Sequence, residues 1–320
     1  MKVGVFTVLF GQWPLEKALD YIAEAGAEAV EIGTGNYPGG AHCNPKALLA
    51  SAAKRKKFMK AIENRGLTLS ALSCHGNPLH PSSRIAAAHH KTQRDTILLA
   101  EKLGIDRVVT FSGCPGDSER AKHPNWVTCP WPDDFSEIIK WQWEKKVIPY
   151  WKAEGKFAKT HKVRLCFEMH PGFVVYNTET MLRLREACGE NIGANFDPSH
   201  LFWQGMDPIV SIRALGDAIF HFHAKDSKVY ESSSLLNGVL DTKHYGDEIN
   251  RSWIFRTVGY GHGQDVWKDI ISTLRMVGYD DVLSIEHEDS LMSVEEGFRK
   301  AVAFLKEVLI AEETGEMWWA

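Results

Sequence analysis

None of the six cysteines (Cys43, Cys74, Cys114, Cys129, Cys166 and Cys188) stands in a Cys-x-x-Cys spacing, which removes the commonest thiol signature for metal or redox chemistry. A chain of 320 residues can bury a large core without covalent staples, so reduced core and loop thiols are expected rather than disulfides. No apolar run approaches the length of a membrane span. The formal net charge of −4 offers no general attraction for phosphate backbones, so nucleic acid is not an expected partner. The opening stretch, Met1 to Phe10, faintly resembles a signal peptide. Its apolar part is short and runs straight into a helical pattern, so it reads as the first strand of the fold. A cytoplasmic protein with no membrane partner is expected.

What remains is an ordinary globular composition, 44% hydrophobic and 24% charged, with two excesses. Fourteen His and eleven Trp are both high for the length. Histidine suits metal and sugar chemistry. Tryptophan offers flat faces for a sugar ring, although core packing would use it equally well.

A β-rich run followed by a helical period recurs eight times. The strands are read at Val3 to Thr7, Ala29 to Ile32, Leu67 to Leu72, Arg107 to Phe111, Val163 to Phe167, Ile192 to Phe196, Ala218 to Phe222 and Val282 to Ile285. Between them lie helical stripes such as Leu15, Ala18, Leu19, Ile22 and Ala25, spaced for one buried face. Helices are also read over about Pro45 to Arg65, Ile85 to Leu103, Asp133 to His161 and Asp265 to Met276, and another is read as capped by Thr178. Strict alternation of strand and helix gives parallel strands with right-handed crossovers. The predicted architecture is α/β, a single-domain (β/α)8 TIM barrel over residues 1–311. Residues 312–320 fall outside the pattern as a C-terminal tail. Its Trp318 and Trp319 are expected to dock on a neighbouring subunit, making a homo-oligomer; the plainer readings are that they pack over the chain's own barrel or are disordered. Two long connections interrupt the regularity, Gly113 to Pro132 and Ala224 to Gly263, and loops of that length often act as lids or binding loops.

Four strands of the second half end in a side chain able to hold a metal: Glu168, Asp197, His223 and Glu286. Each has a bland alternative. Glu168 could be a surface residue, Asp197 the cap of a short helix begun by Pro198, His223 a core histidine, and Glu286 the partner of a Lys. One geometry explains all four together, because the carboxyl ends of consecutive barrel strands meet at one mouth. Clustered carboxylates repel and raise each other's pKa, and a cation removes that cost. Three oxygen donors and one imidazole favour Mn²⁺, with Mg²⁺, Co²⁺ or Zn²⁺ as substitutes, and leave positions open for substrate oxygens.

The motifs Phe167-Glu168, Asp197-Pro198-Ser199-His200, His223-Ala224-Lys225-Asp226 and Ile285-Glu286 resemble those of the xylose isomerase-like barrel superfamily. Within it the chain is most similar to the sugar (phosphate) isomerase/epimerase branch, which includes the ketose 3-epimerases. The resemblance runs from the first strand to the last helix. It implies that Glu168, Asp197, His223 and Glu286 bind the metal, that Glu168 and Glu286 are the acid/base pair, and that His200 holds substrate oxygens. It implies a sugar or keto-sugar substrate, with a proton moved beside its carbonyl through an enediolate. The ketose epimerases carry an Arg soon after the metal-binding His, where this chain has Val229; Arg256 is expected to take that role. A lyase or dehydratase acting on a keto-polyol or keto-sugar, inosose dehydratase-like, would use the same enolate step.

Abasic-site phosphodiesterases share the superfamily but use three metals. Their extra ligands are missing here, since the fourth strand ends Phe111-Ser112-Gly113 and no Asp-x-His follows His223. A non-catalytic sugar-binding protein would not need both glutamates.

Further candidates follow the strands. His75 is read as a substrate contact, and His170 as either a substrate or a supporting residue. Lys225 and Asp226 are read as an ion pair. Gly259 to Gly263 looks like a phosphate loop, though a Gly-rich turn is weak evidence. Trp13 and Trp203 are read as stacking platforms or packing, and His89-His90 as a solvated helix face.

Overall fold

Eight parallel strands close on one another because each is apolar enough to be covered on both faces. A computed structural model describes residues 1–320. The strands are β1 (Lys2–Phe6), β2 (Ala29–Gly33), β3 (Thr68–Ser73), β4 (Arg107–Thr110), β5 (Arg164–Glu168), β6 (Ile192–Phe196), β7 (Ile219–Ala224) and, after an inserted antiparallel pair β8 (Asp226–Val229) and β9 (Trp253–Arg256), β10 (Val282–Ile285). The barrel order is β1-β10-β7-β6-β5-β4-β3-β2, closed and parallel throughout. It is the (β/α)8 architecture expected from the alternation. No helix is long and apolar enough to cross a membrane.

The surrounding helices bury one stripe each. The helix Leu15–Glu24 packs Ala18, Leu19 and Ile22 inward, and the helix Val294–Val308 packs Phe298, Ala301, Val302 and Leu305. Each fully buried Leu, Ile or Phe contributes about 1.5–3 kcal/mol, and one cluster of 57 buried residues joins these stripes to the strands. Gly104 ends its helix with φ of 74°, a conformation that glycine adopts without strain. Gly193 in β6 has no room for a Cβ, which would lie 2.4 Å from both Ala218 O and the Phe220 ring.

Three local expectations change. Asn177, not Thr178, caps the helix Thr178–Cys188: its Oδ1 accepts from Thr180 N at 2.9 Å, while Thr180 Oγ1 accepts from Asn177 N at 3.2 Å. Hydroxyl and amide together satisfy two otherwise orphaned donors. The single long helix expected over 133–161 is divided by a wide π-type turn at Gln142–Val147. Pro149, which supplies no N–H, follows immediately. Finally, the excursion after β7 is not irregular. β8 and β9 pair antiparallel, Asp226 opposite Arg256 and Val229 opposite Trp253, with the short helix Glu231–Asn237 between them.

The tail does not pack over the barrel. Trp318 and Trp319 are 88% and 68% exposed and touch each other edge to face. The chain is held as far as Glu312, whose carbonyl accepts from Arg275 at 3.0 Å. Deleting residues 313–320 is therefore expected to shift the thermal midpoint by less than about 2 °C. A drop of many degrees in a melting scan would show that the tail is part of the core.

Candidate metal centre

Strand alternation sends residues two apart to the same side, so β6 and β7 each turn two polar groups into the barrel: Asn195 with Asp197, and His221 with His223. All four are fully buried, as is Glu31 in the middle of β2. An enclosed carboxylate without partners would cost several kcal/mol. Glu31 is instead surrounded by donors. His223 Nε2 lies 2.9 Å from its Oε2 and 3.1 Å from its Oε1, Ser284 Oγ donates to Oε2 at 2.7 Å, and Ser73 Oγ donates to Oε1. Burial alone would raise the Glu31 pKa, but His223, His221 and these hydrogen bonds outweigh it and hold the group at about 2.

Because Nε2–H of His223 is committed to Glu31, its Nδ1 is left for the barrel mouth. There Nδ1 sits 3.1 Å from Glu168 Oε2 and 3.2 Å from Glu286 Oε2. The ligand atoms of Glu168, Asp197, His223 and Glu286 all lie within 4.8 Å of one another. That span suits oxygen and nitrogen donors set about 2.0–2.6 Å from a common ion. Asp197 Oδ2, His223 Nδ1 and Glu286 Oε2 are buried and make no hydrogen bond. Buried polar atoms normally have partners, so three without one, converging from three strand ends, fit a cation.

The protonation pattern points the same way. Burial raises the Asp197 pKa to about 6, helped by the nearby charges of Glu168 and Glu286 and opposed by His200 and Lys225. Burial would lower that of His223, but Glu31, Glu168 and Glu286 lift it well above its ordinary value. Protons thus occupy what a cation would replace. Glu168 is held well below the usual carboxylate range despite burial, because His200, His223 and His75 all reach it. Lys225, with His223, does the same for Glu286, which is held at about 2.

A cavity of about 370 Å³ opens over this cluster, lined by His75, Glu168, His170, Lys225, Glu286 and Glu288 among others. Glu168 is fixed on three sides: His75 Nε2 at 3.0 Å, His200 Nε2 at 3.2 Å and Asn195 Nδ2 at 3.2 Å. Asn195 Oδ1 in turn faces His221 Nδ1 at 2.9 Å. His170 commits its Nδ1 to Pro171 O at 2.6 Å, and burial lowers its pKa to about 3, so the ring is neutral.

Of the residues singled out in the sequence, the structure brings together Glu168, Asp197, His223, Glu286, His75, His200 and His170. Arg256 is elsewhere. Its Nε donates to Asp289 Oδ2 at 3.1 Å, and its guanidinium lies over Tyr260. On β9 the alternation turns Phe255 towards the active-site side, so Arg256 faces away. The cation in the cavity is Lys225, only 2% exposed, 3.4 Å from Glu286 Oε2 and 2.5 Å from Glu288 Oε2. Lys225 is therefore not paired with Asp226. The Asp226 carboxylate fills the glycine turn, accepting from the N–H groups of Gly259, Gly261 and His262 at 2.9–3.2 Å and from His262 Nδ1 at 2.7 Å. The turn is an anion nest, but the anion is the protein's own. His89 and His90 are not a merely solvated face: His89 Nδ1 accepts from Asn77 N at 2.7 Å, and His90 Nδ1 meets Tyr150 Oη at 2.9 Å. Trp13 packs on Phe10, and Trp203 stacks on Trp253 at 4.5 Å.

Sequence reading missed Glu31, although a lone Glu inside Ala-Val-Glu-Ile-Gly was a signal. It also missed Asn195 and His221, each two residues before a strand-end ligand and on the same face.

A model of the xylose isomerase-like TIM barrel family matches residues 19–308. The uncharacterized protein YfiH of Bacillus subtilis (strain 168) is 40% identical over 312 residues, 97% of this chain and 99% of its own. Among solved structures, the IOLI protein with a bound zinc atom gives a TM-score of 0.65 at 17% identity, covering 97% of this chain and 98% of that one. D-psicose 3-epimerase in the presence of D-fructose gives 0.61 at 15% identity, covering 97% and 99%. At these identities the two structures share the fold.

Two measurements test the site. Carboxylates that orient a ligating histidine are typically worth 10–100-fold in metal affinity. Glu31→Gln is thus expected to weaken Mn²⁺ binding by about 10–100-fold in calorimetric titration, and wild-type affinity would remove Glu31 from the centre. Cation uptake must also displace protons from His223 and, below pH about 6, from Asp197. Apparent affinity is therefore expected to climb steadily from about pH 5 to about pH 8; a flat profile is incompatible with this ligand set.

Proposed function

The chain belongs to the xylose isomerase-like TIM barrel family, and on that premise we propose that it is a divalent-metal-dependent sugar isomerase or epimerase. Glu168, Asp197, His223 and Glu286 would hold the ion, Mn²⁺ by their mainly oxygen donor set. The observation that carries the reading is the trio of buried atoms without a hydrogen bond on Asp197, His223 and Glu286, placed beneath a cavity that Glu168 and Glu286 help to line. The IOLI protein with its zinc atom and the D-psicose 3-epimerase support metal and sugar on this fold. A bound divalent cation supplies Lewis-acid polarisation of a sugar carbonyl, which acidifies the neighbouring C–H.

The chain's own groups then move the proton. One of Glu168 and Glu286 takes it from the carbon beside the carbonyl, and the other returns a proton. Return to the opposite face of the same carbon inverts it; return to the adjacent carbon isomerises the sugar. His75 and His200 both point a ring nitrogen at Glu168, so they fix its orientation, and His75 also lines the cavity where a substrate would sit. Lys225 holds Glu286 as the carboxylate, the form that accepts a proton. Phe111 and Phe173, stacked at 4.3 Å, form the apolar side of the neighbourhood and limit water.

Incubation of the Mn²⁺-loaded protein in D₂O with ketoses, aldoses and inososes should place deuterium on the carbon next to the carbonyl of one of them. Acid–base groups typically contribute about 10²–10⁴-fold, so Glu286→Gln and Glu168→Gln should each slow uptake by at least about 100-fold. Metal content is followed in parallel. Near-normal exchange by metal-loaded Glu286→Gln would remove that residue from proton transfer. Release of water or another leaving group in place of simple exchange would instead favour the lyase reading.

A further inference from the structure

A second chamber of about 300 Å³ adjoins the catalytic cavity. His170 lines both, and His200, which reaches Glu168, lines the second. A third hollow bounded by His170, Tyr245, Phe255 and Glu288 shares residues with each, so the three meet at His170. The walls come from the two long connections. Gly113 to Pro132 contributes Trp126 and Thr128, and the excursion after β7 contributes Tyr245, Trp253 and Phe255.

The chamber's character is aromatic. Its one carboxylate, Asp241, is already spent on the backbone N–H groups of Lys243 and Ser252 and on Lys243 Nζ. Trp203 is 4% exposed, and neither its indole Nε1 nor that of Trp126 has a hydrogen-bond partner. A buried indole N–H ordinarily finds an acceptor. Both nitrogens are closed off by their neighbours, so what the chamber presents is the stacked faces of Trp203 with Trp253 and of Tyr245 with Phe255, which suit a flat ring. The first cavity, at about 370 Å³, is by itself large enough for a small ligand such as a monosaccharide, so the reacting sugar does not need the second.

We propose that the substrate is a sugar bearing an aromatic ring joined through an ether or glycosidic oxygen. Its sugar part sits between Glu168 and Glu286, and its ring sits in the chamber of Trp126, Trp203, Tyr245 and Phe255. The assignment of the sugar part rests on the function proposed above; the assignment of the ring rests on the chamber alone. Binding the remote ring fixes the sugar over the acid/base pair, so affinity gained there serves the reacting carbon.

The probes are 1-O-benzyl- and 6-O-benzyl-D-fructose, one substituent at each end of the carbon chain, beside the corresponding methyl ethers. Binding to Mn²⁺-loaded protein is read by calorimetry or ligand-observed NMR. One benzyl ether should bind about tenfold or more tightly than its methyl partner. Thr128 is exposed and lines the chamber, so Thr128→Trp should fill the space without disturbing the core. That variant should abolish the benzyl advantage and leave methyl-ether affinity unchanged. Benzyl ethers binding no better than methyl ethers, or an advantage that survives Thr128→Trp, would overturn the proposal. Deuterium exchange with unsubstituted ketoses separates the two claims. Exchange without a benzyl preference removes the chamber assignment alone. A Thr128-dependent benzyl preference with no exchange on any probe keeps the chamber and removes the isomerase reading.

Discussion

The hydrogen bond from His223 Nε2 to Glu31, 2.9 Å long and wholly enclosed, sets the chemistry of everything above it. It commits one ring nitrogen downwards and turns the other towards Glu168 and Glu286. A neutral His223 would then present a lone pair to two carboxylate oxygens only 3.1–3.2 Å away. Such an arrangement is repulsive until either a proton or a cation enters. The elevated pKa of His223 is the proton's answer to that constraint. The barrel supports the cost of burying Glu31 through Ser73 and Ser284 from β3 and β10, which flank it with hydroxyl donors.

Around that pair the site is layered by reach. Nearest the barrel interior, Asn195 links His221 to Glu168 and fixes its Oε2, the oxygen that lies against His223 Nδ1. One layer out, His75, His200 and Lys225 divide between the two glutamates, two on Glu168 and one on Glu286. The glutamates therefore sit in different fields, one among imidazoles and one beside an ammonium. Both fields nevertheless hold their glutamate as the carboxylate. Beyond them the inserted β8–β9 pair brings Trp253 and Phe255 into the wall of a second chamber that His170 and His200 also line.

Several bland readings of single residues turn out to coexist with the functional one. Asp197 does cap the helix Pro198–Phe202, its Oδ1 accepting from Ser199 N at 2.8 Å, yet its Oδ2 is left buried and unpaired. His223 is indeed a core histidine, and Glu286 does lie near a lysine. In Asp197 and His223 one atom satisfies the scaffold and leaves the other free for a ligand, whereas in Glu286 it is the same Oε2 that both Lys225 and His223 approach. Capping by Asp197 also places its second oxygen, since the helix start fixes the side-chain torsions.

Much of the fold was legible because its signals are local. Alternation of apolar strands and striped helices located all eight barrel strands, and the strand-end positions of Glu168, Asp197, His223 and Glu286 followed from the rule that barrel sites form at carboxyl ends. Glu31 was not identified, because a charged residue inside a strand has meaning only once its partner, 192 residues away, is known. Arg256 was misplaced because the pleat of an unrecognised antiparallel pair decides which of Phe255 and Arg256 faces the cavity. The glycine turn looked open to phosphate until Asp226 was found inside it. By itself, then, the chain's pattern determined the barrel, its strand order along the sequence and the four groups at its rim, since these depend on spacings within each unit. Only the tertiary structure decided which nitrogen of His223 is free, which cation enters the cavity and what the long loops enclose. Those outcomes depend on contacts between distant segments, which short-range periodicity does not encode.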